Sequence, residues 1–129
     1  MEVVAAVFTD GERVLACRRR AHLQAGGRWE FPGGKSERWE SPDAALTREI
    51  REELGVQIQV GELLDRSTTM VAGVPITLAT YFVRSIGEPP ASSTDHDQVG
   101  WFASSRLPWL HWADPDLPAV RRLAATSTG

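Results

Sequence analysis

Residues 34–56 read GKSERWESPDAALTREIREELGV and carry five glutamates. Three of them, Glu49, Glu52 and Glu53, stand at i, i+3 and i+4, a spacing that stacks side chains on one helical face about a turn apart. Like charges so placed repel, and a helix that served only as scaffold would gain nothing from them. A hard divalent cation such as Mg²⁺, which takes oxygen ligands, turns that repulsion into coordination. The same run specifies where the helix starts and stops. Ser41 is placed to N-cap, Pro42 fits the first helical position, and Asp43 puts negative charge in the first turn. Leu46, Ile50 and Leu54 follow at spacing four as an apolar stripe for a core, and Gly55 stands where a left-handed C-terminal cap is wanted. Upstream, Phe31-Pro32-Gly33-Gly34-Lys35 reads as a turn-rich loop whose glycines let the backbone approach a ligand.

The remainder of the chain predicts alternating elements. Val3 to Phe8 and Arg13 to Arg18 read as strands joined by an Asp10-Gly11 turn. Val56 to Leu64 alternates weakly, and residues 76–83 (ITLATYFV) form the strongest β segment. Gly87 to Asp97 reads as a loop, Val99 to Phe102 as a short strand and Leu117 to Ala125 as a closing helix. A chain of 129 residues is expected to make a single domain spanning residues 1–129. Its net charge of −3 argues against a surface for long nucleic acid. Cys17 is the sole cysteine and lies in an apolar strand, which excludes an internal disulfide and predicts a buried thiol. No apolar run is long enough for a membrane span and no signal peptide is evident, so the expectation is a cytoplasmic enzyme, monomeric or homodimeric. Of the 14 basic residues only Lys35 is a lysine, which singles it out beside Gly34.

The run 34–56 resembles the Nudix box, G-x5-E-x7-R-E-U-x-E-E-x-G-U with U a bulky aliphatic. Gly34, Glu40, Arg48, Glu49, Ile50, Glu52, Glu53, Gly55 and Val56 fill every fixed position. The preceding Trp29-Glu30-Phe31-Pro32-Gly33-Gly34-Lys35 resembles the MutT-like branch. Trp39 departs from the pattern, since many members carry glycine before the first box glutamate. The resemblance implies an α/β fold, the Nudix α/β/α sandwich with a mixed sheet between helices. It also implies Mg²⁺-dependent hydrolysis of a phosphoanhydride bond in a nucleotide, with Mn²⁺ as substitute. The alternative for such a chain is a Nudix-fold binding module that has lost catalysis, although none of the acidic positions is missing.

By the same resemblance, Glu49, Glu52 and Glu53 are the expected metal ligands with the Gly33 carbonyl, and Glu52 and Glu53 carry the catalysis. Arg48 is expected to orient the glutamates by ion pairing, and Glu40 to act from the helix entrance. A further acid is expected from the loop before Trp101; Asp95 matches that place best and Asp97 competes. His96 between them is set aside because a hard-cation site prefers oxygen. Arg19 is the expected phosphate contact and Lys35 a second substrate-binding group, while Arg18 and Arg20 should point elsewhere because strand side chains alternate.

For the base, Asp116 falls near the position where 8-oxo-dGTP enzymes of the family carry an asparagine. An ionised carboxylate only accepts hydrogen bonds and suits the exocyclic amine of cytosine or adenine. The surrounding residues also resemble the CTP and 5-methyl-dCTP pyrophosphohydrolases. The expected substrate is therefore (d)CTP or 5-methyl-dCTP, with 8-oxo-dGTP second. Phe31 with Trp109 or Trp112 is expected to sandwich the base, and the competing role for Asp116 is a helix cap.

Overall fold

The apolar run Val4-Ala5-Ala6-Val7-Phe8 has no polar alternation, the pattern of a strand covered on both faces, and it forms the middle of the sheet. In the computed structural model, which describes residues 1–126, it belongs to β1 (Glu2–Asp10), followed by β2 (Arg13–Arg19), β3 (Trp29–Glu30), β4 (Gly33–Lys35), α1 (Pro42–Leu54), β5 (Gln57–Val71), β6 (Val74–Ile86), β7 (His96–Ala103) and α2 (Leu117–Thr126). Two short 3-10 turns, Ser104–Trp109 and Asp114–Asp116, lead into α2. β1 lies parallel to β6 along its length, and its other edge is shared by β4 near its start and β2 at its end, both antiparallel. β2 in turn pairs with β3 and β7, and β5 closes the far edge against β6.

Alternation along β1 then divides two cores. Val4, Ala6 and Phe8 pack with Leu15, Cys17 and the α1 stripe Ala45, Leu46, Ile50 and Leu54. Ala5 and Val7 point the other way, to Leu78, Leu107, Trp112 and the α2 residues Ala119, Val120 and Leu123. A mixed sheet between two helical layers is what the sequence predicts. Cys17 is fully buried as expected, and burial pushes its thiol pKa up. Among the described residues, no helix is long and apolar enough to cross a membrane.

α1 is capped as its residues specify. The Ser41 hydroxyl accepts from the Ala44 amide at 3.2 Å, Pro42 opens the helix, and Gly55 at φ 71° donates back to the Arg51 carbonyl. Three readings need correction. The supposed loop at residues 31–35 contains β4, because the small glycines fit flat against β1. The strand expected over Val56 to Leu64 runs on to Val71. Its second half is polar and is held by side-chain pairs in place of apolar alternation: across the strands the hydroxyls of Thr68 and Thr77 bond at 2.8 Å, and Asp65 pairs with Arg122 of α2 at 2.7 Å. The strand before Trp101 starts at His96, so Asp97 is part of it.

Candidate active site

The sharp approach of β4 to its neighbours fixes the floor of the site. A Cβ on Gly33 would lie 2.0 Å from the Val4 carbonyl oxygen, and one on Gly34 would lie 2.4 Å from the Glu49 carboxyl group. The first contact is rigid backbone and the second a movable side-chain end. Gly33→Ala is thus expected to force β4 off β1 and cost roughly 1–3 kcal/mol as overpacking. Gly34→Ala is expected to keep the fold and displace Glu49, losing activity at near-normal thermal stability. Parallel unfolding and rate measurements on the two variants check this.

Arg48 holds one side of the acidic helix. Its Nε and Nη2 donate to the two Glu40 oxygens at 2.7 and 2.9 Å, its Nη1 reaches Glu49 at 2.9 Å and Glu52 at 3.5 Å, and Nη2 also touches the Lys35 carbonyl. The bidentate fork matches a carboxylate's geometry. It pulls the Glu40 pKa down to about 2, first through the Arg48 hydrogen bonds, then through the Glu37 amide. Glu37 and Glu40 also close the turn on which Trp39 projects into solvent, so the unusual tryptophan leaves the Arg48 contacts intact.

Glu53 lies on the inward side and is 7% exposed. Its neighbours come from two other segments. His96 Nδ1 is 3.2 Å from Glu53 Oε1 and His96 Nε2 is 2.8 Å from Glu30 Oε2, while Ser93 Oγ bonds Nδ1 at 2.6 Å. Glu30 is shared with Arg19, whose Nη1 stands 3.2 Å away and whose Nε donates to the Gln24 carbonyl. The Glu53 carboxyl is pushed up to about 8, first by burial and then by the charges of Glu30, Asp95 and Glu49, with Arg19 opposing. A buried carboxyl ringed by three more carboxylates is short of positive charge, and a hard cation would supply it. The residues fit such an ion.

Glu30 and His96 are the two members that sequence reasoning missed. Glu30 had one signal: it alternates with Trp29 and Phe31, both in the core, so it must face away from them. His96 was set aside on donor preference, yet both its ring nitrogens meet carboxylates. Of the competing loop acids, Asp97 is tied to Arg18 at 2.8 Å, whereas the Asp95 carboxylate is exposed, makes no hydrogen bond among the described residues, and lies near enough to raise the Glu53 pKa. Glu52 keeps a side chain 61% exposed.

From this cluster a cleft of about 470 Å³ runs toward α2, lined by Arg19, Glu30, Phe31, Gly33, Gly34 and Asp116 and walled by the apolar tip of the β5–β6 hairpin. Lys35 lies outside that lining, exposed at the end of β4. The expected aromatic sandwich is not there. Phe31 and Trp112 pack against each other with ring centroids 4.7 Å apart and planes tilted by 38°, leaving no gap for a base between them, and Trp109 lies in solvent beneath Arg106. Asp116 does not cap α2 either: its Oδ1 accepts from the Phe31 amide at 3.0 Å. Burial, then the Glu30 charge, raises its pKa well above the ordinary carboxylate value, favouring a neutral group where the sequence reading assumed an ionised one.

Comparison with known proteins points the same way as the site. The profile of the NUDIX domain matches residues 1–123. A CTP pyrophosphohydrolase of Escherichia coli is 33% identical over 125 residues, 97% of this chain and 92% of its own. An 8-oxo-dGTP diphosphatase of Proteus vulgaris is 37% identical over 84 residues, 64% of this chain and 75% of its own. The solution structure of the Escherichia coli ORF135 protein superposes with a TM-score of 0.81 at 31% identity, covering 98% of this chain and 90% of that one. A MutT protein from Methanosarcina mazei, at 17% identity, shares the fold with a TM-score of 0.85 over 100% of this chain and 96% of its own. The chain is a MutT-like member of the Nudix hydrolase family.

Proposed function

We propose that this protein is a Mg²⁺-dependent nucleoside triphosphate pyrophosphohydrolase, releasing pyrophosphate and the nucleoside monophosphate. One observation carries the reading: the cluster of Glu53, Glu30 and His96 adjoins, through Glu30, a cleft that Arg19, Phe31 and Asp116 also line. Polyphosphate and base would each find matching chemistry there. Glu49, Glu52, Glu53 and the Gly33 carbonyl would hold the cation, which when bound neutralises phosphate oxygens and acidifies water. Arg48 keeps Glu49 and Glu52 oriented, and Arg19 offers its planar fork to a phosphate. Lys35, whose ammonium has no partner among the described residues, reaches the phosphates from outside. Asp95 is placed to join the cation's ligands or to take a proton from the attacking water.

A neutral Asp116 presents one donor and one acceptor. That pair complements the N3 acceptor and amine donor of cytosine, which keeps (d)CTP or 5-methyl-dCTP as the first reading. It equally complements the O6 acceptor and N7–H donor of 8-oxoguanine, which supports 8-oxo-dGTP as the second. It mismatches ordinary guanine, whose O6 and N7 both accept. Asp116→Asn keeps an acceptor for the Phe31 amide and a donor beside it, so base preference is expected to persist. Asp116→Leu leaves that buried amide unpaired, at roughly 1–3 kcal/mol of stability, and loses about tenfold to a hundredfold in base discrimination. A preference that shifts in the asparagine variant would mean that Asp116 works ionised.

The test is pyrophosphate release with Mg²⁺ across dCTP, CTP, 5-methyl-dCTP, 8-oxo-dGTP, the ordinary dNTPs and ADP-ribose. A cytidine preference supports the first reading and an 8-oxo-dGTP preference the second. No release from any of them, with Mg²⁺ or Mn²⁺, overturns the proposal in favour of a non-catalytic module.

A further inference from the structure

The segment 93–97 carries Asp95 and is tied down on every side except at the Asp95 side chain. Arg20 contributes two of the ties, its amide to the Asp95 carbonyl at 3.2 Å and its Nε to the Thr94 carbonyl at 3.0 Å. Arg18 fixes the next residue but one through Asp97. On the inner side the Thr94 amide donates to the Glu53 carbonyl at 3.1 Å, and Ser93 bonds His96. The pairing of β2 with β7 shifts register between Arg18 and Arg19, where Arg18 meets Gln98 and Arg19 meets His96. Irregularities of this kind re-aim side chains beside active sites. Here the shift leaves Arg18 and Arg20 on the segment while Arg19 enters the cleft.

We infer that Arg18 and Arg20 are positioning residues that clasp the segment 93–97 and aim the Asp95 carboxylate at the Glu53 cluster. The inference rests on the reading of Asp95 as the loop acid. Neither arginine lines the cleft, so neither is placed to touch the nucleotide. Removing both would free the segment from β2 by one ion pair and one side-chain hydrogen bond. The strand pairing and the buried core stay in place. Displacing a reacting group by about an ångström can cost on the order of a hundredfold in rate.

The experiment is a double-mutant cycle. Arg18→Ala/Arg20→Ala, Asp95→Asn and the triple variant are compared by kcat, by KM for the preferred triphosphate and by Mn²⁺ affinity without nucleotide. The arginine pair is expected to lose about tenfold to a hundredfold in kcat, with KM within about twofold and thermal stability near normal. In the Asp95→Asn background the same two changes should cost less than about twofold more, because their target is already gone. The Mn²⁺ affinity should follow Asp95→Asn, both shifting or neither. Arg20→Lys in the Arg18-intact protein should recover most of the rate lost by Arg20→Ala. Additive losses in the triple variant, or a rise in KM in place of a fall in kcat, overturn the clasp. An Asp95→Asn variant with normal kcat overturns Asp95 as the loop acid, and the clasp falls with it by a separate result.

Discussion

Glu53→Gln is expected to lose roughly a thousandfold in kcat while remaining folded. A ligated cation supplies several kcal/mol to a transition state of this kind, and each 1.36 kcal/mol is tenfold in rate. The substitution keeps the volume and the hydrogen-bonding reach toward His96 but removes the one carboxyl group that is buried among three others. Steady-state rates at saturating Mg²⁺, with circular dichroism to confirm the fold, decide it. A variant retaining a tenth of the activity would mean that the cation is held by Glu49 and Glu52 without Glu53.

The second large effect concerns stability in the absence of a cation. Glu53 is raised from an ordinary 4.5 to about 8 in the folded protein, first by burial and then by its acidic neighbours. A raised native pKa means the folded state binds the proton more tightly. Its contribution is therefore fully present below pH 4.5 and is lost as pH rises through 8. Asp116, raised in the same direction, adds to the trend. The cation-free protein is expected to lose roughly 5–10 °C in Tm between about pH 5 and pH 8. Glu53→Gln should flatten part of that slope and leave the share belonging to Asp116. A cation held by Glu53 would compete with the proton, so the Tm gained on adding Mg²⁺ should be larger at pH 8 than at pH 6. A Tm that stays level across this range, or an unchanged slope in the variant, would show that the cluster is not strained by its own charge.

What could be read in advance was whatever is encoded locally. α1 carries its cap, its first-turn proline, its stripe and its terminating glycine within fifteen positions of one another, and each behaves as its chemistry dictates. β1 was legible because a strand covered on both faces must be apolar throughout. The second half of β5 was not, since residues such as Thr68 and Asp65 are strand-forming only once Thr77 and Arg122 stand opposite them. The turn that joins β5 to β6 has Ala72 at φ 49° ahead of Gly73, without the asparagine or aspartate that usually announces such a turn. The same division runs through the site. Glu49, Glu52 and Glu53 follow from helical spacing and Arg48 from the family resemblance, but Glu30 and His96 join Glu53 only by tertiary folding. The charge state of Asp116 depends on a burial no residue spacing records.

Arg48 has one more consequence, for the order of events in the life of the chain. Because it already balances Glu40, Glu49 and Glu52, the carboxylate at the helix entrance and two on the helix have a countercharge before any ion arrives. A newly synthesised chain need not wait for its cation in order to fold. Folding and loading become separate steps, so a chelator should switch the enzyme off without unfolding it, and returning Mg²⁺ should restore it at once.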